Sequence, residues 1–136
     1  MRFLKIIVLV SFLLINGLGP HGIPNFAGIL ICLNQFIIDI FNSFSHEYEI
    51  SWILGLVGIS SITSILMILL SKKYRDRYLL MIALAVLLSC EIFLSDILHY
   101  QAITSWFIFP LIVFILSSVV LITKNFQGKS EFGSTN

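Results

Sequence analysis

The chain has 136 residues, of which 58% are hydrophobic and 11% charged, against about 25% charged residues in an ordinary soluble domain. Four membrane spans of about 20 residues take about 80 of them, and the remainder holds no polar stretch long enough to be a domain. A soluble enzyme domain, a disordered tail and a single-span receptor with a folded ectodomain are excluded, and the formal net charge of +1 leaves no broad basic surface for nucleic acid.

Residues 1–19 begin with Arg2 and Lys5 and run apolar over 3–14, as a secretory signal does. The run ends in Asn16-Gly17-Leu18-Gly19-Pro20, which lacks a small-residue cleavage pattern, so the segment reads as a retained first span over about residues 3–18. Gly19-Pro20-His21-Gly22-Ile23-Pro24 cannot continue a helix. Asn25 is a good N-cap, and helical spacing resumes over 26–41. That stretch carries Asn34, Gln35 and Asp39, and its Gly28, Cys32, Gln35, Asp39 and Asn42 share one arc. It suits an interfacial or re-entrant helix better than a span.

A polar loop at 43–49 leads to a second span at about 52–71. A third follows at about 78–98 and a fourth at about 104–123, with Trp52 and Trp106 placed for headgroup level. Residues 125–136 form a polar tail. Within it Glu131-Phe132-Gly133-Ser134 matches either the dipeptides left at vector junctions or a natural polar end. The expected fold class is an all-α polytopic membrane protein, a four-transmembrane-helix bundle with an additional outer interfacial or re-entrant amphipathic helix, forming one domain over 1–124.

The eight basic residues fall in three groups: Arg2 and Lys5; Lys72, Lys73, Arg75 and Arg77; Lys124 and Lys129. With the 26–41 helix on the outer face, all eight lie on the cytoplasmic side together with both termini. If that helix crosses instead, the basic residues divide two against six, and the positive-inside rule favours the first arrangement. The layout of four short spans, an amphipathic segment after the first and both ends on one side resembles that of DoxX-type small membrane proteins; no residue role follows from it.

The third span carries a polar stripe of Glu91, Ser95 and His99, with Asp96 one turn before His99. Glu91 lies about 20 Å along that span, where a carboxylate needs a partner or a wet cavity. It is either a functional group handling a proton, ion or substrate, or a structural carboxyl bonded to Ser, Thr or Asn of a neighbouring helix. In the favoured topology His21, His46 and His99 gather outside with Asp39, Glu47, Glu49 and Asp96. The candidate functional cluster is therefore Glu91, Ser95, Asp96, His99, His46 and Glu49. Asp96-x-x-His99 is not a recognised metal motif, so no metal is expected. Cys32 and Cys90 make no Cys-x-x-Cys pair, which counts against a redox motif. No phosphate loop, G-x-S-x-G, H-E-x-x-H or haem-ligating histidine pair occurs, and no cofactor or catalytic residue is expected.

In the second span Gly55, Gly58, Ser60 and Ser64 are candidates for close helix packing, either within the chain or against a partner. Pro110 should kink or loosen the fourth span. Two functional expectations follow, with a third behind them. The first is a non-enzymatic accessory or scaffold subunit in a plasma or bacterial inner membrane, whose partners are the bilayer and other membrane proteins or copies of itself. The alternative is a small oligomeric transporter or ion- or proton-conducting protein using Glu91, with Asp96 and His99 as a relay. The third is an intramembrane enzyme with an outer-face site at His46, Glu49, Asp96 and His99.

Overall fold

Long apolar runs give the long helices, even where Gly28, Gly55, Gly58 or Pro110 lies inside one. The computed structural model describes residues 2–18, 22–44, 50–72, 76–95 and 105–127. It contains α1 (Arg2–Leu13), α2 (Asn25–Ser43), α3 (Trp52–Leu70), α4 (Arg77–Leu94) and α5 (Ser105–Gln127). The protein is an all-α membrane bundle, in which α2, α3, α4 and α5 are each long and apolar enough to cross a membrane. Its surface is apolar nearly all round: Phe3, Leu30, Phe41, Leu56, Ile82, Phe109 and Leu116 are each more than half exposed, as suits side chains solvated by lipid tails.

One end of the bundle is basic. The Lys5 ammonium, at the start of α1, donates to the Ser71 carbonyl just past α3. The Lys72 amide donates to Asp76 Oδ2 at 2.8 Å, and the Arg77 guanidinium stacks 4.8 Å from the Tyr78 ring centroid and 5.1 Å from that of Phe126. Tyr78 meets Phe126 edge-on at 6.1 Å, which brings the end of α5 and its Lys124 beside the start of α4. Lys73, Arg75 and Lys129 lie outside the described residues. At the opposite end Trp52 and Trp106, 67% and 75% exposed, begin α3 and α5.

The first apolar segment differs from the expected single span over 3–18, and its helix is not among the four long and apolar enough to cross a membrane. Its helix stops at Leu13, about 18 Å long, because Asn16 and Gly17 are poor helix formers and the turn sequence follows. The chain then runs on in non-helical form to Leu18, whose amide donates to the Ser95 carbonyl at 3.1 Å. From Lys5 at Ser71 to Leu18 at Ser95, the segment covers the same depth as α4.

Asn16 and Pro24 form an isolated bridge. The Gly17 amide donates to the Ile23 carbonyl and the Asn25 amide to the Ile15 carbonyl, each at 2.9 Å. This hairpin delivers the chain into α2, with Pro24 rather than Asn25 in the N-cap position.

Length and apolarity suit α2 to a crossing, yet its contacts tie it to the tryptophan end. Asn25 meets Glu91, a Cβ on Gly28 would touch the Leu94 side chain, and Leu33 and Phe36 lie over Gly58 and Gly55. Phe36 also tilts against Trp52 at 5.9 Å. Asp39 is buried; it accepts from Gln35 Nε2 at 2.9 Å and from the Ser51 amide at 3.2 Å, which sets a carboxylate at the positive N-terminus of α3. Each of these neighbours belongs to the half of α3 or α4 away from the basic end, so α2 slants across that half.

The core runs along the inner faces of α1, α3, α4 and α5. Val8, Phe12, Ile15, Ile68, Leu80, Leu87, Phe114 and Leu121 are fully buried, and the Phe12 and Phe114 rings pack 5.5 Å apart. α5 runs beyond the expected 123 to Gln127, with Asn125 buried inside the bundle.

Candidate functional site

Three elements converge on one buried polar node. α4 supplies Glu91 from its last turn and Ser95 from its C-cap. α1 supplies the Phe12 carbonyl near its end. α2 supplies Asn25, its first residue. The Asn25 amide nitrogen donates to the Phe12 carbonyl at 2.9 Å and to Glu91 Oε2. Asn25 and Ser95 are 1% exposed and Glu91 4%.

The sequence dictates this placement. α1 ends at Leu13, which frees its last carbonyls, and the chain returns so that the first side chain of α2 faces them. Asn25 bridges a helix-end acceptor and a carboxylate because its amide carries two donors. As a local N-cap it would have satisfied only its own helix; the expected capping role therefore gives way to a tertiary one. The sequence signal that could have revealed it is a lone Asn directly after Pro24, at the point where an apolar hairpin re-enters the bundle.

Of the other candidate residues, Ser95 sits one turn from Glu91, its amide donating to the Glu91 carbonyl at 2.9 Å. Asp96, His99, His46 and Glu49 lie outside the described residues, as do His21 and Glu47, so the outer cluster of imidazoles and acids is not assembled from described side chains. Cys32 and Cys90 are free and buried, and Cys90 Sγ lies 3.6 Å from Ser60 Oγ.

The small residues of α3 divide between two roles. A Cβ on Gly58 would sit 2.7 Å from the Leu33 side chain, and one on Gly55 2.6 Å from the Phe36 ring. Both glycines therefore serve the internal contact with α2, and Gly55 also borders the groove beside it. Ser60 and Ser64 instead line a groove of about 550 Å³ between α3 and α4, together with Leu56, Ile59, Thr63 and Val86. A second groove of about 660 Å³ lies between α1 and α5, lined by Val10, Leu14, Trp106, Phe109 and Pro110 among others. Glu91 lines neither. No family model matches the chain, and no curated protein or solved structure matches it.

Proposed function

We propose that the protein is a non-enzymatic accessory or scaffold subunit that docks a transmembrane helix of another membrane protein in the groove along α3. The observation that carries this reading is the shape of that groove. It extends from Phe36 and Trp52 at one end to Met67 at the other, about 22 Å along the helix axis. Its floor is made of small residues that let a second backbone approach, with Leu56, Ile59 and Ile82 as ridges. In lipid, where tails are as apolar as leucine, such close van der Waals fit is what drives helix association. Two of the groove's hydroxyls are already used, since the Ser60 hydroxyl donates to the Leu56 carbonyl and Thr63 Oγ1 to the Ile59 carbonyl at 2.8 Å.

The gathering of Arg2, Lys5, Lys72, Arg77 and Lys124 at one end supports a multi-pass topology with both termini cytoplasmic and the tryptophan end outside, in a plasma or bacterial inner membrane. Transport through Glu91 has less support, because the carboxylate is closed in by Asn25 and faces neither groove.

A photocrosslinking residue at Thr63, introduced in the native membrane, tests the reading. The expected product is an adduct with one other membrane protein, abolished by Ser60→Trp, which fills the groove. Adducts with lipid alone would overturn it.

A further inference from the structure

The node between α1, α2 and α4 holds more open oxygen than its hydrogen bonds use. Asn25 spends both amide hydrogens, one on the Phe12 carbonyl and one on Glu91 Oε2. Asn25 Oδ1, Glu91 Oε1 and Ser95 Oγ are buried with no hydrogen-bond partner among the described residues. Ser95 lies on the same face of α4 as Glu91, one turn on, and Asn25 is bonded to Glu91, so the three residues meet at one node.

The surrounding backbone adds negative potential. α1 ends at Leu13 beside Asn25 and α4 ends at Ser95, so two helix C-termini approach the node against the single N-terminus of α2. Among the described residues no basic side chain bonds Glu91, and Lys5 on α1 is committed to the Ser71 carbonyl at the far end. A buried carboxylate in this setting has to be neutralised. A proton would fill one lone pair. A partly dehydrated alkali cation takes several oxygens at once, and broken helices at mid-depth supply such oxygens from carboxylates and helix ends.

We propose that Glu91, Asn25 and Ser95 form a binding site for one alkali cation, with Glu91 as its counter-charge and Asn25 Oδ1 and Ser95 Oγ as neutral ligands. One carboxylate with two neutral oxygens suits a single charge rather than the several carboxylates a divalent ion takes. The bound ion locks the end of α1, the start of α2 and the end of α4 together, independently of any helix docked along α3.

The test is thermal unfolding of the full chain in a neutral detergent at neutral pH, in sodium, lithium, potassium and choline chlorides of equal ionic strength. At least one alkali chloride is expected to raise the midpoint over choline by about 4 °C or more, saturably with concentration. Glu91→Gln, which keeps the shape and removes the charge, should abolish the difference. Ser95→Ala should reduce it, and serves alone if Glu91→Gln does not fold. Equal midpoints in choline and every alkali chloride would overturn the proposal, as would a difference that survives Glu91→Gln. A midpoint that answers to pH with no preference among the cations would assign the neutralising charge to a proton and overturn it equally.

Discussion

The α3–α4 pair and the segment 2–25 cover the same depth of the bundle with different backbones. α3 and α4 are unbroken helices of 19 and 18 residues, and each satisfies its own amides and carbonyls. The N-terminal segment is helical for 12 residues, then extended, then folded back as a hairpin, and it must borrow partners. Leu18 borrows the Ser95 carbonyl, Gly17 the Ile23 carbonyl, and the end of α1 the Asn25 amide. Three buried polar side chains, Asn25, Glu91 and Ser95, therefore meet where the helix is broken. Along α3 the Ser60 and Thr63 hydroxyls return to their own helix, while the buried Ser61 hydroxyl has no hydrogen-bond partner among the described residues.

This contrast gives each half of the molecule a different weakness, and the largest expected effect is on the broken half. Phe12 holds the last turn of α1 against Phe114 of α5, both fully buried. Phe12→Ala should cost about 3–5 kcal/mol, read as a fall in unfolding free energy in detergent. The double variant with Phe114→Ala should cost clearly less than the sum, because the two rings share one contact. Additive losses would show that α1 is held chiefly by other contacts.

Asn25→Leu should follow at about 2–3 kcal/mol, since it leaves the Phe12 carbonyl and the Glu91 carboxylate without their donor. Amide exchange at Gly17 and Leu18 should rise in the same variant while α3 stays protected. Uniform loss of protection would mean that the hairpin and the α3–α4 pair open as one unit.

Gly58→Leu strikes the α2–α3 contact, where the Leu33 side chain occupies the space a Cβ needs. Overpacking there should cost about 1–3 kcal/mol and loosen α2 from α3, detected as increased labelling of a cysteine introduced at Phe36. A neutral result would show that α2 is seated mainly through Asn25 and Asp39.

Much of the fold was legible in the sequence because apolar runs and charge grouping act over long stretches. Trp52, the cluster from Lys72 to Arg77, and the run after Trp106 mark α3, α4 and α5 within a few residues. The first apolar segment was harder. Apolarity alone does not show that 14–18 leave the helix, because the break depends on partners from α4 and α2 that lie far away in sequence. Glu91 stood out as a lone carboxylate in an apolar run, and Ser95 followed from its one-turn spacing. Asn25 was legible only as a helix start, since its use as a donor to Glu91 requires the hairpin geometry. In the same way, Gly55, Gly58, Ser60 and Ser64 read as one small-residue face. Their division between a seat for α2 at Gly55 and Gly58 and a groove along Gly55, Ser60 and Ser64 arises from the placing of α2, which no local pattern encodes.

The smallest expected effect sharpens the contrast most. Ser60→Ala removes a polar group at the same depth as the node, but its hydroxyl donates within α3 to the Leu56 carbonyl and touches Cys90 only through sulfur. The Leu56 carbonyl keeps its ordinary helical partner when the hydroxyl is gone, because a serine bonded back to i−4 adds a second donor to an acceptor already in use. No buried group is orphaned, so the loss should stay within about 0.5 kcal/mol, in line with the modest worth of polar contacts between membrane helices. Set beside Asn25→Leu, it measures the difference between a polar side chain that decorates an intact helix and one that replaces a missing piece of it. Comparable losses for the two would mean that depth in the bilayer, rather than the break in α1, sets the cost of removing a polar side chain from this protein.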